Sequence, residues 1–358
     1  MSPPATHDQR ILVVRTDRLG DVLLTLPMFS RLRAHFPQAY LVFLVRRYTS
    51  EIVEGHPHID RLLLYDDPSG VPVPFETMRS RLVDERFDTV VVASPTPRLA
   101  WLVFRAGISM RVGTGYRYYS ALFNRRVLEH RRRGDKHELE CNLALLTAIG
   151  CPPEVEPGPV EFHLKILPEV RESALSKLEA LGIRNGEPRV VLHPGTGGSS
   201  RDWPVERFGI LARELGKKGM QVVITGSSSE QELVARATEA SGGTARPAAG
   251  LFSLKELAAV FQSSRLFAGN SSGPIHLAVA VGTPVVGLYP QLPAIGARRW
   301  GPYTNRARVI VPDKPATCRD CRNSRECACM ASISVDRVLA EATGLLEQHP
   351  LTGREERP

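Results

Sequence analysis

The sequence predicts an α/β protein of two similar halves, each a doubly wound parallel sheet with helices on both faces. Three observations lead there. Short, continuous apolar runs alternate with stretches of helical spacing, the pattern left by strands buried on both sides. That pattern stops at a proline-rich passage and then starts again. The chain has 358 residues, enough for two domains at roughly 150 residues each.

The elements follow in order. Ile11-Leu12-Val13-Val14 is a first strand, closed by the turn Arg15-Thr16-Asp17-Arg18-Leu19-Gly20-Asp21. Val22, Leu23, Leu26, Phe29 and Leu32 then recur at helical spacing and predict one helix. Residues 41–45, 61–65 and 89–92 are further apolar strands, with helices between them. Cys151-Pro152-Pro153, Pro157, Pro159 and Pro168 mark the linker. Beyond it, strands are predicted over 189–193, 221–225, 265–268 and 284–288, and helices over 205–218, 254–261, 274–281 and 335–348. The expected organisation is a tail over 1–9, a first domain over 10–160 and a second over 161–334. A terminal helix over 335–349 is placed back against the first domain, and a tail runs over 350–358. Ligands are expected at the carboxyl ends of the strands, in a cleft between the halves.

Composition narrows the class. Hydrophobic residues at 42% and charged residues at 23% exclude a disordered chain, a collagen-like repeat and a disulfide miniprotein. The longest apolar runs, 22–29 and 277–289, fall short of the roughly 18 residues of a membrane span. The first ten residues lack the basic and apolar pattern of an export signal, so a cytoplasmic protein is expected. The net charge of +8 is concentrated: nine arginines and one acid, Glu129, lie between Arg98 and Arg133. Clustered guanidinium groups suit phosphate, as found on a lipid head group, an anionic membrane face or nucleic acid; the competing reading is a solvated basic surface. Cys318, Cys321, Cys327 and Cys329 form C-x2-C-x5-C-x-C. The first pair has zinc-knuckle spacing and the second does not, so a metal site competes with plain thiols in a C-terminal loop.

Three turns carry chemistry. Gly20-Asp21 opens the first helix, where the positive helix end holds a carboxylate ionised; Asp21 is either a capping acid or a general base. Residues 193–204, His193-Pro194-Gly195-Thr196-Gly197-Gly198-Ser199-Ser200-Arg201-Asp202-Trp203-Pro204, join a strand to a helix through small residues whose amides suit an anion. Arg201 supplies a countercharge there, and Trp203 is otherwise a core plug. Gly269-Asn270-Ser271-Ser272-Gly273-Pro274-Ile275-His276 repeats the logic. Two anion-ready helix starts in one half suggest a diphosphate ligand such as a nucleotide sugar.

In this order and spacing, these stretches resemble glycosyltransferase family 9, which contains the lipopolysaccharide heptosyltransferases, over residues 10–348. The marks are 11–21 with Leu19-Gly20-Asp21, His193-Pro194-Gly195 followed by Trp203-Pro204, Asn270-Ser271-Ser272-Gly273-Pro274-Ile275-His276-Leu277-Ala278, and Gly282-Thr283-Pro284-Val285-Val286. The resemblance implies a GT-B fold of two Rossmann-like domains, with the donor held mainly by the second. It implies inverting, metal-independent transfer of heptose from ADP-heptose to a lipopolysaccharide core or related glycolipid, with no cofactor. Asp21 matches the family's base, and Arg201 stands where a lysine usually binds donor phosphate. Glu230 falls at the ribose hydroxyls and Phe252 at the nucleotide base. Gly195, Thr196, Ser271, Ser272, Gly273, Pro274 and His276 complete the donor set. Arg18, Arg117, Arg125 and Arg126 are expected to hold a phosphorylated glycolipid acceptor at the cytoplasmic face of the inner membrane. In one departure, heptose-transferring members commonly carry Asp after the Asn of the second loop. Ser271 stands here, able to hydrogen-bond but uncharged.

The expected step is proton removal by Asp21 as the acceptor hydroxyl attacks the anomeric carbon. Arg201 and the amides of Gly273 to Ile275 stabilise the departing diphosphate. The rival readings are a transferase using another nucleotide sugar, a nucleotide-sugar epimerase, and a nucleic-acid-binding protein stacking bases on Tyr116, Tyr118 and Tyr119. No nucleic-acid partner is expected.

Overall fold

The computed structural model describes residues 9–153, 160–313 and 327–350. The chain divides into two compact units, Met1–Lys165 and Ile166–Pro358. The first contains β1 (Arg10–Val14), β2 (Tyr40–Val45), β3 (Arg61–Leu64), β4 (Thr89–Val92), β5 (Met110–Thr114) and β6 (Arg125–Val127). Their spatial order is β3-β2-β1-β4-β5-β6, and every pairing is parallel. The second contains β7 (Arg189–His193), β8 (Gln221–Gly226), β9 (Ala245–Ala249), β10 (Leu266–Asn270), β11 (Val285–Leu288) and β12 (Ala307–Ile310). Their order, β12-β11-β10-β7-β8-β9, is the same topology read from the opposite edge, again all parallel. Each unit is a doubly wound parallel sheet, as the sequence predicts.

The central strands explain why apolar runs were diagnostic. Successive side chains of a strand face opposite sides. Leu12 and Val14 join Val42, Leu44, Val90 and Val92 in one apolar cluster. Ile11 and Val13, on the other face, are equally buried. A strand covered twice has no polar side to show. Each sheet reverses its winding beside its first strand, at β1/β4 and at β7/β10. There Val14 lies beside Val92, and His193 beside Gly269. Gly269 is required at this point, because a Cβ would stand 2.8 Å from the His193 carbonyl oxygen. Such reversal points open a crevice at the strand ends where ligands bind in this class of sheet.

Several expectations need correction. The single first helix is two, Leu19–Leu23 and Pro27–His35, because Pro27 cannot donate and instead starts a new helix. Strands β5, β6, β9 and β12 had not been anticipated. β6, β9 and β12 are sheet edges, where one side meets solvent and a continuous apolar run is unnecessary; Pro247 within β9 is tolerated for the same reason. The terminal helix Val335–Gln348 does not belong to the first unit. Val338, Ala342 and Leu345 are wholly buried in the second unit's core with Leu192, Trp203 and Phe208. Its apolar stripe packs on helix Val205–Lys217 and β12.

Pro157, Pro159, Cys318 and Cys321 lie outside the described residues. Cys327 is buried in the second core and Cys329 packs against it. Among the described residues no helix is long and apolar enough to cross a membrane.

Leu345→Ala tests the placement of the terminal helix. It should lower stability by about 2–5 kcal/mol through lost burial and a residual cavity, read as a shifted urea midpoint.

Candidate active site

In the first unit, β1 delivers Arg15 to the carboxyl edge of the sheet, where its N–H donates to the Leu44 carbonyl at 3.1 Å. The guanidinium is 3% exposed and meets three carboxylates. Nε lies 3.0 Å from Asp17 Oδ2, Nη1 lies 3.1 Å from Glu138 Oε1, and Nη2 donates to Asp21 Oδ1. Glu138 opens helix Glu138–Ala144 and also accepts from Arg131 Nη1. Asn142, one turn further on, accepts from Arg15 Nη1 at 3.2 Å and Arg131 Nη1 at 3.0 Å. Its amide donates to the Leu24 carbonyl at 2.9 Å and to Thr25 Oγ1 at 3.3 Å. Thr25 Oγ1 in turn donates to the Asp21 carbonyl at 2.8 Å. The network therefore grips Asp21 by both its carboxylate and its main chain, and ties β1 to a helix more than a hundred residues away.

Asp21 keeps 18% of its side chain exposed, so a ligand hydroxyl can reach it. Its other oxygen accepts the Arg18 N–H at 3.3 Å, the capping contact expected of a helix-start acid. Its ionisation is not dominated by the helix, which has only five residues. Burial pushes the carboxyl above the ordinary aspartate value. Arg15 opposes that, while the neighbouring Asp17 and Glu138 charges reinforce it. Because one guanidinium is divided among three acids, it offsets the burial of Asp21 only in part. The result is a carboxylate more basic than usual, which suits proton abstraction.

In the second unit, the two anion-ready loops sit side by side at the β7/β10 reversal. Asn270 ends β10, fully buried. It accepts the Trp203 N–H at 3.0 Å and donates to the Pro194 carbonyl at 2.7 Å. Ser199 Oγ donates to the Thr196 carbonyl at 2.7 Å, and Thr196 Oγ1 donates to Asp202 at 2.7 Å. Trp203 is the core plug that the sequence allowed, 1% exposed against Phe208.

Glu230 reaches under the first loop. It accepts from Gly197 N at 3.3 Å, from Ser227 N at 2.8 Å and from Ser227 Oγ at 2.8 Å. A Cβ at Gly195 would fall 2.0 Å from Glu230 Oε1, so any side chain there would push this carboxylate aside. Burial works to raise the Glu230 carboxyl, but these hydrogen bonds hold it below the usual glutamate value. His193, buried at the end of β7 beside Thr225, is pushed down to about 4 by desolvation and is neutral at pH 7. Phe252, half-buried, follows β9 at the same sheet edge. Ser271, Ser272 and His276 are buried around the start of helix Gly273–Ala280.

Three expectations change here. Among Gly273, Pro274 and Ile275, Pro274 has no N–H and Ile275 donates to the Ser272 carbonyl at 3.2 Å, so of the three Gly273 is the one whose N–H can serve the expected anion. The basic stretch is not one surface: Arg131 is buried on Glu138, Arg98 donates to the Val73 carbonyl, and Arg111 donates to those of Ile108 and Leu122. The acceptor arginines are also scattered. Arg18 is exposed just before Asp21, and Arg117 caps the short turn Tyr118–Leu122. Arg125 and Arg126 lie on edge strand β6, three strands from β1 or roughly 14 Å at usual spacing. The structure thus brings Arg18 to Asp21 and leaves Arg125 and Arg126 apart. Sequence reasoning missed Arg15, Glu138 and Asn142. The available signal was a charge directly after an apolar strand, together with Glu and Asn four residues apart on one helix face.

Glu138→Ala should take away the carboxylate that Arg131 is buried on and one of the three that meet Arg15, and destabilise the protein by about 3–5 kcal/mol in chemical denaturation, far more than loss of a surface acid.

Comparison with known proteins identifies the family and the fold. The family model described as glycosyltransferase family 9 (heptosyltransferase) matches residues 76–328. A Haemophilus influenzae protein, provisionally named a glycosyltransferase, is 27% identical over 341 residues, covering 93% of this chain and 95% of its own. A family 9 glycosyl transferase from Veillonella parvula superposes with a TM-score of 0.79 at 23% identity, over 95% of this chain and 97% of its own. The Escherichia coli ADP-heptose lipopolysaccharide heptosyltransferase II gives 0.76 at 23% identity, over 95% and 99%. The chain belongs to glycosyltransferase family 9, the heptosyltransferase family, and is a glycosyltransferase.

Proposed function

We propose that the protein transfers heptose from ADP-heptose to a phosphorylated lipopolysaccharide core or related glycolipid, with inversion and without a metal ion, at the cytoplasmic face of the inner membrane. The observation that carries this reading is Asp21: a carboxylate with raised basicity, accessible at the carboxyl edge of β1 and locked by Arg15. The sugar, the acceptor, inversion and metal independence rest on likeness to the family, and the base rests on the residues around it.

Asp21 takes the proton from the acceptor hydroxyl as its oxygen bonds to the anomeric carbon. The bond from that carbon to the diphosphate oxygen breaks on the opposite face, and its electron pair leaves with ADP. Attack opposite the leaving group inverts the centre. Arg201 and the Gly273 amide neutralise the charge that grows on the diphosphate, which is work a divalent ion performs in other transferases. Glu230 accepts from ribose hydroxyls, its lowered proton affinity keeping it an acceptor. Phe252 offers an apolar contact to adenine. Ser271 meets the sugar with a hydroxyl where heptose-transferring members commonly place a carboxylate, so the sugar is bound here without that charge.

Asp21→Asn should abolish transfer while ADP still stabilises the protein against heat. Arg201→Ala should weaken both ADP stabilisation and turnover, the latter by roughly a hundredfold or more if it acts as a transition-state donor. Activity unaffected by a chelator is expected; loss on chelation, or an active Asp21→Asn protein, refutes the mechanism.

The pH profile gives a second check. Arg15, Asp17, Glu138 and Tyr48 all face Asp21 electrostatically. The negative charge of Glu138 disfavours ionisation of Asp21. Removing it as Glu138→Gln should therefore move the acid limb of the rate profile to lower pH. A limb that stays in place contradicts this electrostatic coupling.

A further inference from the structure

Residues 97–128 of the first unit contain six arginines and no acid. They also hold five of the nine large hydrophobic side chains that are exposed among the described residues: Trp101, Phe104, Tyr116, Tyr118 and Leu128. So strong a concentration in one short stretch is not the scatter expected of single surface hydrophobes. Helix Pro97–Arg105 buries Leu99, Ala100, Leu102 and Val103, so the fold already has its apolar face; Trp101 and Phe104 are additional and point outward, 45% and 42% exposed.

The two rings are stacked with centroids 5.6 Å apart. Arg105 lies over Trp101 at 5.7 Å and Arg111 over Phe104 at 5.4 Å. Arg111 also donates to the Leu122 carbonyl, which joins the helix to the turn Tyr118–Leu122. Tyr118 on that turn is 84% exposed. Arg105, Arg117, Arg125 and Arg126 are all exposed. The surface thus combines aromatic side chains, which favour the head-group level of a bilayer, with positive charge that attracts anionic lipid.

We propose that this surface docks the enzyme on an anionic lipid bilayer, with Trp101 and Phe104 as the interfacial anchors. The proposal rests on the glycolipid-acceptor reading for its purpose, since docking would bring the enzyme to the plane where such an acceptor lies. Charge argues against a second copy as the occupant: a two-fold interface would set the exposed Arg105, Arg117, Arg125 and Arg126 against their own copies. Bases stack on rings left open, whereas Trp101 and Phe104 already stack on each other and Tyr116 on His130.

The test uses the full chain and vesicles of phosphatidylcholine, with or without phosphatidylglycerol. The wild type should sediment with the anionic vesicles about tenfold or more better than with the neutral ones, and less well as salt rises. Trp101→Ala/Phe104→Ala should lose most of that partition while keeping its melting temperature and its stabilisation by ADP. Trp101→Phe, a milder change, should still sediment, but the blue shift of tryptophan emission that anionic vesicles cause in the wild type should vanish. Equal sedimentation of the double variant, an unchanged blue shift in Trp101→Phe, or no vesicle binding by the wild type overturns the proposal. So does a wild-type dimer that the double variant splits, or RNA binding lost with the two rings in place of vesicle binding. ADP stabilisation reports on the donor reading separately: its absence from every variant and the wild type counts against that reading and leaves the vesicle result to be judged alone.

Discussion

The first unit is organised around the division of one buried positive charge, Arg15, among three negative ones. A guanidinium placed at the end of an apolar strand cannot remain unpaired, because the cost of burying a lone charge is several kcal/mol at least. Arg15 meets that demand with Asp17, Asp21 and Glu138 together. The arrangement positions Asp21, since its carboxylate has a rigid planar donor on one side and a backbone N–H on the other. It also sets basicity. A full, private countercharge would leave Asp21 a weak base; a shared one leaves burial and two neighbouring acids to raise it. Geometry and proton affinity thus have a common origin. Arg131 and Asn142 complete the charge and hydrogen-bond balance around Glu138.

The second unit repeats the topology and uses it differently. Among the described residues its reversal point shows no buried guanidinium shared by several carboxylates at the strand end. Instead a neutral carboxamide, Asn270, bridges the chain before the first loop and the residue that starts its return, so the loop between them is pinned at both ends. Glu230 then props that loop from the turn after β8, close enough that a side chain at 195 would displace its carboxylate. The loops expose small residues, main-chain amides and Arg201, a set matched to phosphate rather than to a proton-transfer step. On the proposed reading two copies of one fold divide the labour, one offering a base and the other a cradle for the leaving group.

Legibility in the sequence followed burial and locality. Central strands such as 11–14 and 189–193 were evident because two covered faces demand unbroken apolar residues. Edge strands such as Arg125–Val127 and Ala245–Ala249 were not, since a half-solvated strand tolerates arginine and proline. The donor loops could be recognised because strand, glycine-serine turn and helix are adjacent in sequence. The ion network could not, because Glu138 is 123 residues from Arg15 and long-range pairing leaves no local pattern. Arg131 shows the converse error: within a run of arginines it looked like surface, and only the fold reveals that it is buried against Glu138. The terminal helix had a clear apolar stripe, but nothing local says which unit that stripe will cover.

The most direct measurement of the central claim is a carboxyl NMR titration of isotope-labelled protein, with the Asp21 resonance assigned by its loss in an Asp21 variant. Division of the Arg15 charge predicts a midpoint clearly above the ordinary aspartate value of about 4. A midpoint at or below that value would mean that Arg15 serves Asp21 as a full counterion, and the basicity invoked for this carboxylate would be absent.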